Sequence, residues 1–177
     1  MNITLENYNH RCKVTQGGLK RLYLVPFVKY RRSEIKSDGM LLTEFPTAYI
    51  YQFDVEGTYN QQSSLEGGAY FFDQSLSVKL NQVYNILDIH KFLKQDYRVI
   101  AETNNGDLIM FGVRNGLECT TTNASGSSRA EFNGFNLEFK GKEQSTGLRI
   151  NSFEDIGLYI LPTEENTLFN YDLNTII

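Results

Sequence analysis

A chain of 177 residues is long enough to bury ~70% of its unfolded surface in one domain without covalent staples. Its 17 Lys and Arg against 21 Asp and Glu give a net charge of −4, which argues against a dedicated nucleic-acid binder, since that needs a basic face. Two cysteines, Cys12 and Cys119, are too few for a disulfide framework or a four-ligand zinc site. Two free thiols are the expectation, and a Cys12–Cys119 bridge is the alternative.

The aromatic residues are 11 Tyr and 12 Phe with no Trp, a choice that favours strands and half-buried surfaces. The opening MNITLENYNHRCK has no apolar stretch, so no signal peptide is expected. No run reaches the ~18 apolar residues of a membrane span. The expectation is a protein made in a cytoplasm, with no membrane partner.

In chain order, Gly17-Gly18 leads into a strand over Leu19–Val28. Leu22 and Leu24 alternate with Tyr23, Val25 and Phe27, so both faces are apolar and the strand is expected to be buried on both sides or at an interface. Pro26 lacks an N–H and suggests an edge or a bulge. From Tyr30 to Pro46 two readings compete: a hairpin turning at Asp38-Gly39, or a long loop offering Met40, Leu41 and Leu42 to a partner. Ala48–Val55 alternates as a strand, and Gly57–Gly68 reads as a polar loop. Ala69–Asn81 has the cleanest period-2 signal. Tyr70, Phe72, Leu76, Val78 and Leu80 share one face with Gln74, and Phe71, Asp73, Ser75, Ser77, Lys79 and Asn81 share the other.

A helix is predicted between Asn81 and Gln95, with Val83, Ile86, Leu87, His90 and Leu93 on its core face and Lys91 and Lys94 near its C-terminal end. Tyr97–Thr103 is a strand. Asn104-Asn105-Gly106-Asp107 is a tight turn, because Asn and Gly accept positive φ, and Leu108–Val113 is the return strand. A second turn at Arg114-Asn115-Gly116 leads into Leu117–Thr122, and Asn123–Ser128 reads as an exposed loop. Phe135, Leu137 and Phe139 alternate on a strand preceded at Asn133-Gly134 by a bulge or a hairpin turn. Short apolar runs follow at Leu148–Ile150 and Ile156–Leu161. Residues 162–177 read as an extended arm. The sum is a mainly β domain over residues 1–161, a β-sandwich or partly closed barrel with one short helix, plus the arm.

No constellation points to catalysis. His10 and His90 are the only histidines. His90 lies on an otherwise apolar helix stripe, and Asp88 is two positions away, off its face. The pairs Glu154-Asp155 and Glu164-Glu165 do not identify a cleft. Gly112–Gly116 lacks the Lys-Ser/Thr end of a phosphate loop. The Asn104–Asp107 turn lacks the closing glutamate of a calcium loop. No cofactor and no metal is expected. Arg31, Arg32 and Lys36 form the densest basic cluster, either a solvated face or a contact for an acidic neighbouring subunit.

Several segments together resemble tail-tube-like proteins of tailed bacteriophages. They are GGLKRLYLVPF, the amphipathic AYFFDQSLSVKLN leading to the single helix, VIAETNNGDLIMFGVRNGLE, and EFNGFNLEFKGKE after a small-residue loop. The likeness covers Cys12 to Glu143 and is closest in style to structural proteins of Bacteroidales phages of the crAss-like group. It implies a non-enzymatic virion protein in a tail or head–tail connector. Such proteins form a homo-oligomeric ring of six or twelve copies that contacts tail, connector or portal proteins, and DNA passes non-specifically through its lumen. It implies a tail-tube-like fold, lumen-facing Asp73, Ser75, Ser77 and Lys79, and inter-ring contacts by Arg31, Arg32, Lys36, Met40, Leu41 and Leu42. The C-terminal arm departs from a plain tube and favours a connector. The alternative is a carbohydrate- or receptor-binding β-sandwich of a phage fibre or baseplate, using the tyrosines of Ala48–Val55.

Overall fold

The computed structural model describes residues 16–81, 95–124 and 134–161. Within them the chain is mainly β, with eleven strands in one open mixed sheet and no closed barrel. The strands are β1 (Leu19–Pro26), β2 (Lys36–Asp38), β3 (Leu41–Glu44), β4 (Ala48–Glu66), β5 (Ala69–Asn81), β6 (Tyr97–Thr103), β7 (Leu108–Phe111), β8 (Glu118–Ala124), β9 (Gly134–Glu143), β10 (Leu148–Ile150) and β11 (Leu158–Ile160). Their order is β2-β3-β10-β7-β6-β1-β4-β5-β9-β8, with β11 paired to β4. Two pairings are parallel, β10 with β3 and β11 with β4.

The middle of the sheet is buried on both faces. Leu22 and Leu24 of β1, Val99 and Ala101 of β6, Val55 of β4 and Phe111 of β7 enter one core. Tyr23 and Val25, Ile100, Ile50 and Met110, from the same strands, enter a second core on the opposite face. Period-2 geometry sends successive side chains to opposite faces, so a strand covered on both reads as a continuous apolar run. The two apolar faces of Leu19–Val28 are thereby explained. Pro26 is the last residue of β1, opposite Tyr97, and β1 lies between β4 and β6. The pairing of β1 to β4 ends at Leu24–Tyr51, so at Pro26 the strand is paired to β6 alone, a local edge that its missing N–H suits. The register shift lies elsewhere, between Leu19 and Arg21.

Beyond this middle, β5, β9 and β8 cover the first core with one face only. Leu76, Val78, Leu137 and Phe139 point inward, each such fully buried side chain contributing about 1.5–3 kcal/mol. One bridge, Tyr97–Leu117, joins the start of β6 to the residue before β8 with backbone bonds of 3.0 and 2.8 Å.

Three expectations change. Gly57–Glu66 is not a loop but the second half of β4, paired residue by residue with β5 from Glu56–Lys79 to Glu66–Ala69. A Thr/Asn/Gln/Ser tract has weak strand preference of its own, and the β5 ladder imposes the conformation. The true turn is Gly67-Gly68, both at positive φ (57° and 83°), which suits the twist of a two-residue hairpin. Tyr30–Pro46 adopts the hairpin reading, a 3-10 turn at Arg32–Glu34 followed by β2 and β3, with the turn at Gly39-Met40, one residue later than expected. Leu42 is 2% exposed in the second core with Ile35 and Phe45, so it is not a surface contact. The predicted helix beyond Asn81, the region from 125 to 133, Cys12, both histidines and the arm from 162 lie outside the described residues.

Candidate functional site

The four-strand sector β4-β5-β9-β8 presents a polar face to solvent. Its central row is the β5 row singled out from the sequence. Asp73 stands between Gln62 and Lys142, Ser75 between Asn60 and Lys140, Ser77 between Thr58 and Glu138, and Lys79 between Glu56 and Asn136. Thr120 of β8 lies beyond Glu138. Asp73, Ser77 and Lys79 are exposed, and Ser75 is half-buried. The face carries the carboxylates of Glu56, Glu66, Asp73, Glu118 and Glu138 and the amines of Lys79, Lys140 and Lys142. Lys140 pairs with Glu138 at 2.9 Å, and Lys142 pairs with Glu66. Lys140 and Lys142 are thus matched locally, and five carboxylates against three amines leave a small acidic excess.

Both borders of the sector are open among the described residues. Pairing of β1 to β4 ends at Leu19–Gly57, so residues 58–66 of β4 have strand pairing only with β5. Strand β8 bonds only to β9. Neither edge carries Lys or Pro, two common devices for blocking strand addition.

The hairpin of β4 and β5 overhangs its neighbours, since β9 reaches only Phe72. At its tip Leu65 and Tyr70 form a cross-strand pair and are 61% and 66% exposed. Sequence reading missed this pair by taking the segment for a loop. The signal was the Gly-Gly turn flanked by SSLE and AYFF.

The proposed inter-ring residues separate. Arg31 and Arg32 are exposed at the 3-10 turn, and Arg32 Nη2 donates to Gln144 Oε1 at 3.2 Å. Lys36 is paired with Glu44 at 2.6 Å across the β2–β3 hairpin. Met40 is 56% exposed at the turn, and Leu41 is half-buried.

Behind the polar sector a buried polar cluster anchors the Gly112–Gly116 turn. Glu143, at the end of β9, is 1% exposed. Its Oε1 accepts the backbone N–H groups of Arg114 (2.9 Å) and Asn115 (2.7 Å). These amides form an anion-binding nest, and the chain fills it with its own carboxylate. Burial raises the Glu143 pKa above the ordinary range, against the opposing pull of those amides and of Arg98. Gln74, 2% exposed, accepts the Gly112 N–H at 2.9 Å and donates to Gln61 Oε1 and Ser145 O. This explains the one polar member of the inward β5 face.

Arg98 is fully buried. It donates to Val113 O at 2.9 Å and Val28 O at 2.8 Å, and its guanidinium lies 4.4 Å from the Phe27 ring centroid, with Tyr30 and Phe45 at 4.9 and 5.4 Å. Burial lowers its pKa to about 10, which leaves it charged at neutral pH. Cys119, half-buried, has its thiol pushed up to about 12 by burial, so the reactive thiolate is suppressed.

Among the described residues no group of three or more His, Cys, Asp or Glu is placed to hold a metal. No described helix is long and apolar enough to cross a membrane. Glu154 and Asp155 sit exposed on a 3-10 turn. No protein-family model, curated protein or solved structure matches this chain.

Proposed function

We propose that this chain is a non-enzymatic structural subunit of a tailed-phage particle, repeated side by side around a DNA-conducting lumen in a tail or head–tail connector. The observation that carries the reading is the sector β4-β5-β9-β8, with a polar outer face, an apolar inner face and two edges that no other strand among the described residues pairs. Its strands run alternately. Adding β4 of a second copy antiparallel to β8 continues the alternation and keeps polar side chains on one face throughout. Repetition around a closed ring turns that face into a wall, and sheet closure removes the edges. A wall with a small acidic excess repels phosphates and lets DNA slide. Asp73, Ser75, Ser77 and Lys79 then line the lumen.

The test is particle mass and shape at rising concentration, by mass photometry and negative-stain microscopy, for the chain alone and co-expressed with the virion proteins encoded beside it. Rings of six or twelve copies are expected. Monomers under every condition, co-expression included, overturn the reading.

A second reading has one observation in its favour. Tyr49 and Tyr159 are 53% and 49% exposed, with ring centroids 6.4 Å apart, the kind of aromatic surface on which a sugar ring stacks. Binding on a glycan array that is lost in Tyr49→Ala would favour a receptor-binding module.

A further inference from the structure

The structure places an acidic groove beside an unpaired basic segment on one face of the molecule. The groove is shallow and open, with a volume of about 450 Å³, and lies between the end of β3 and the 3-10 turn at Glu154–Ile156. Its apolar lining includes Phe45, Pro46 and Ile156, with the Glu34 and Asp155 carboxylates beside them. Lys29 and Arg31, both exposed, flank Tyr30, whose ring lies 5.7 Å from that of Phe45 in the groove lining. Arg31 lies three positions before Glu34, whose carboxylate accepts its backbone N–H at 2.6 Å. Of the other charges nearby, Glu44 is paired with Lys36, and Arg32 donates to the neutral amide of Gln144. Lys29, Arg31, Glu154 and Asp155 have no ion-pair partner among the described residues.

We propose that this face binds the same face of a second copy about a two-fold axis, with Arg31 and Lys29 of each copy entering the acidic groove of the other. The argument is charge complementarity. A basic and an acidic patch side by side are self-complementary under two-fold rotation, so both contacts form at once. The groove suits arginine, whose aliphatic stem covers apolar surface while its planar head meets carboxylates. Exposed pairs are individually weak, so the dimer is salt-sensitive. It is a different contact from the edge pairing proposed above and does not depend on it.

Sedimentation velocity of the full chain tests this at about 25 and 500 mM salt, where screening lengths differ several-fold. Below the concentration at which rings form, a dimer is expected at low salt and a monomer at high salt. Lys29→Glu with Arg31→Glu, and separately Glu154→Lys with Asp155→Lys, each weaken self-association roughly tenfold, because the two-fold axis counts every lost pair twice. An equimolar mixture of the two variants restores association, since one is acidic and the other basic over the whole face. Circular dichroism melts confirm that each is folded. A native chain monomeric at low salt, a dimer indifferent to salt and to both reversals, or a mixture no tighter than its components overturns the proposal. Rings that assemble normally with both reversals leave the lumen reading standing when the dimer fails.

Discussion

Glu143 shows how one residue fixes a turn from a distance. Removing its carboxylate strands the amides of Arg114 and Asn115 in a buried site, and an unsatisfied buried donor costs about 1–3 kcal/mol. Glu143→Ala is therefore expected to lower the unfolding free energy by about 2–4 kcal/mol, read from urea midpoints. Glu143→Gln keeps an acceptor and loses less. The pH dependence has a definite sign. Burial raises the folded-state pKa above the ordinary value of 4.5, so the fold binds the proton more tightly than the unfolded chain does. The stability this contributes is fully present below the unfolded pKa and is lost as pH rises through the folded one. Wild type should gain on Glu143→Gln as pH falls from 7 towards 4.5, measured as the difference between their urea midpoints. A difference that shrinks or stays flat contradicts the assignment.

At the scale of elements, the shape turns on β4, which serves the doubly buried middle with its first half and the polar sector with its second. The change occurs at Gly57, where β1 stops. A Cβ there would stand 2.5 Å from Ser77 O and 2.7 Å from Val78 Cγ1, so β5 can approach only a glycine. Gly57→Ala is expected to destabilise by about 2 kcal/mol or more, as overpacking does. Gly17→Ala, with nothing within 4 Å of its Cβ, should change stability by less than about 0.5 kcal/mol. Chemical denaturation of both variants checks the contrast. Parts whose chemistry is local were legible in the sequence: the alternation of β5, the Asn104–Asp107 turn, the Phe135–Phe139 alternation of β9, and the row from Asp73 to Lys79. Parts imposed by distant partners were not. The Gln/Ser/Asn half of β4 is a strand because β5 lies beside it. Leu42 is buried because Ile35 and Phe45 close over it. Arg98 sits in a plain strand sequence, YRVI, and its burial follows from Phe27, Tyr30 and Phe45, far from it in the chain.

At the scale of the molecule, the proposal of side-by-side repetition makes the edges of β4 and β8, unpaired among the described residues, the decisive features. Ser63 and Asn123 are exposed on these strands, and both have the parity of the inward face, since Asn123 opposes Phe135 and Ser63 opposes Phe72. A lysine that points inward from an edge strand blocks a further strand, because the added strand would bury its charge. Within one copy each lysine still reaches water, so Ser63→Lys and Asn123→Lys should leave the monomer's stability within about 0.5 kcal/mol of wild type. The same substitutions should abolish rings, alone and in co-expression, as counted by mass photometry. One substituted edge is enough, since every junction in a ring uses both. Rings formed at wild-type yield by both variants would mean that the copies meet elsewhere. The overhanging Leu65–Tyr70 pair would then be the next surface to change.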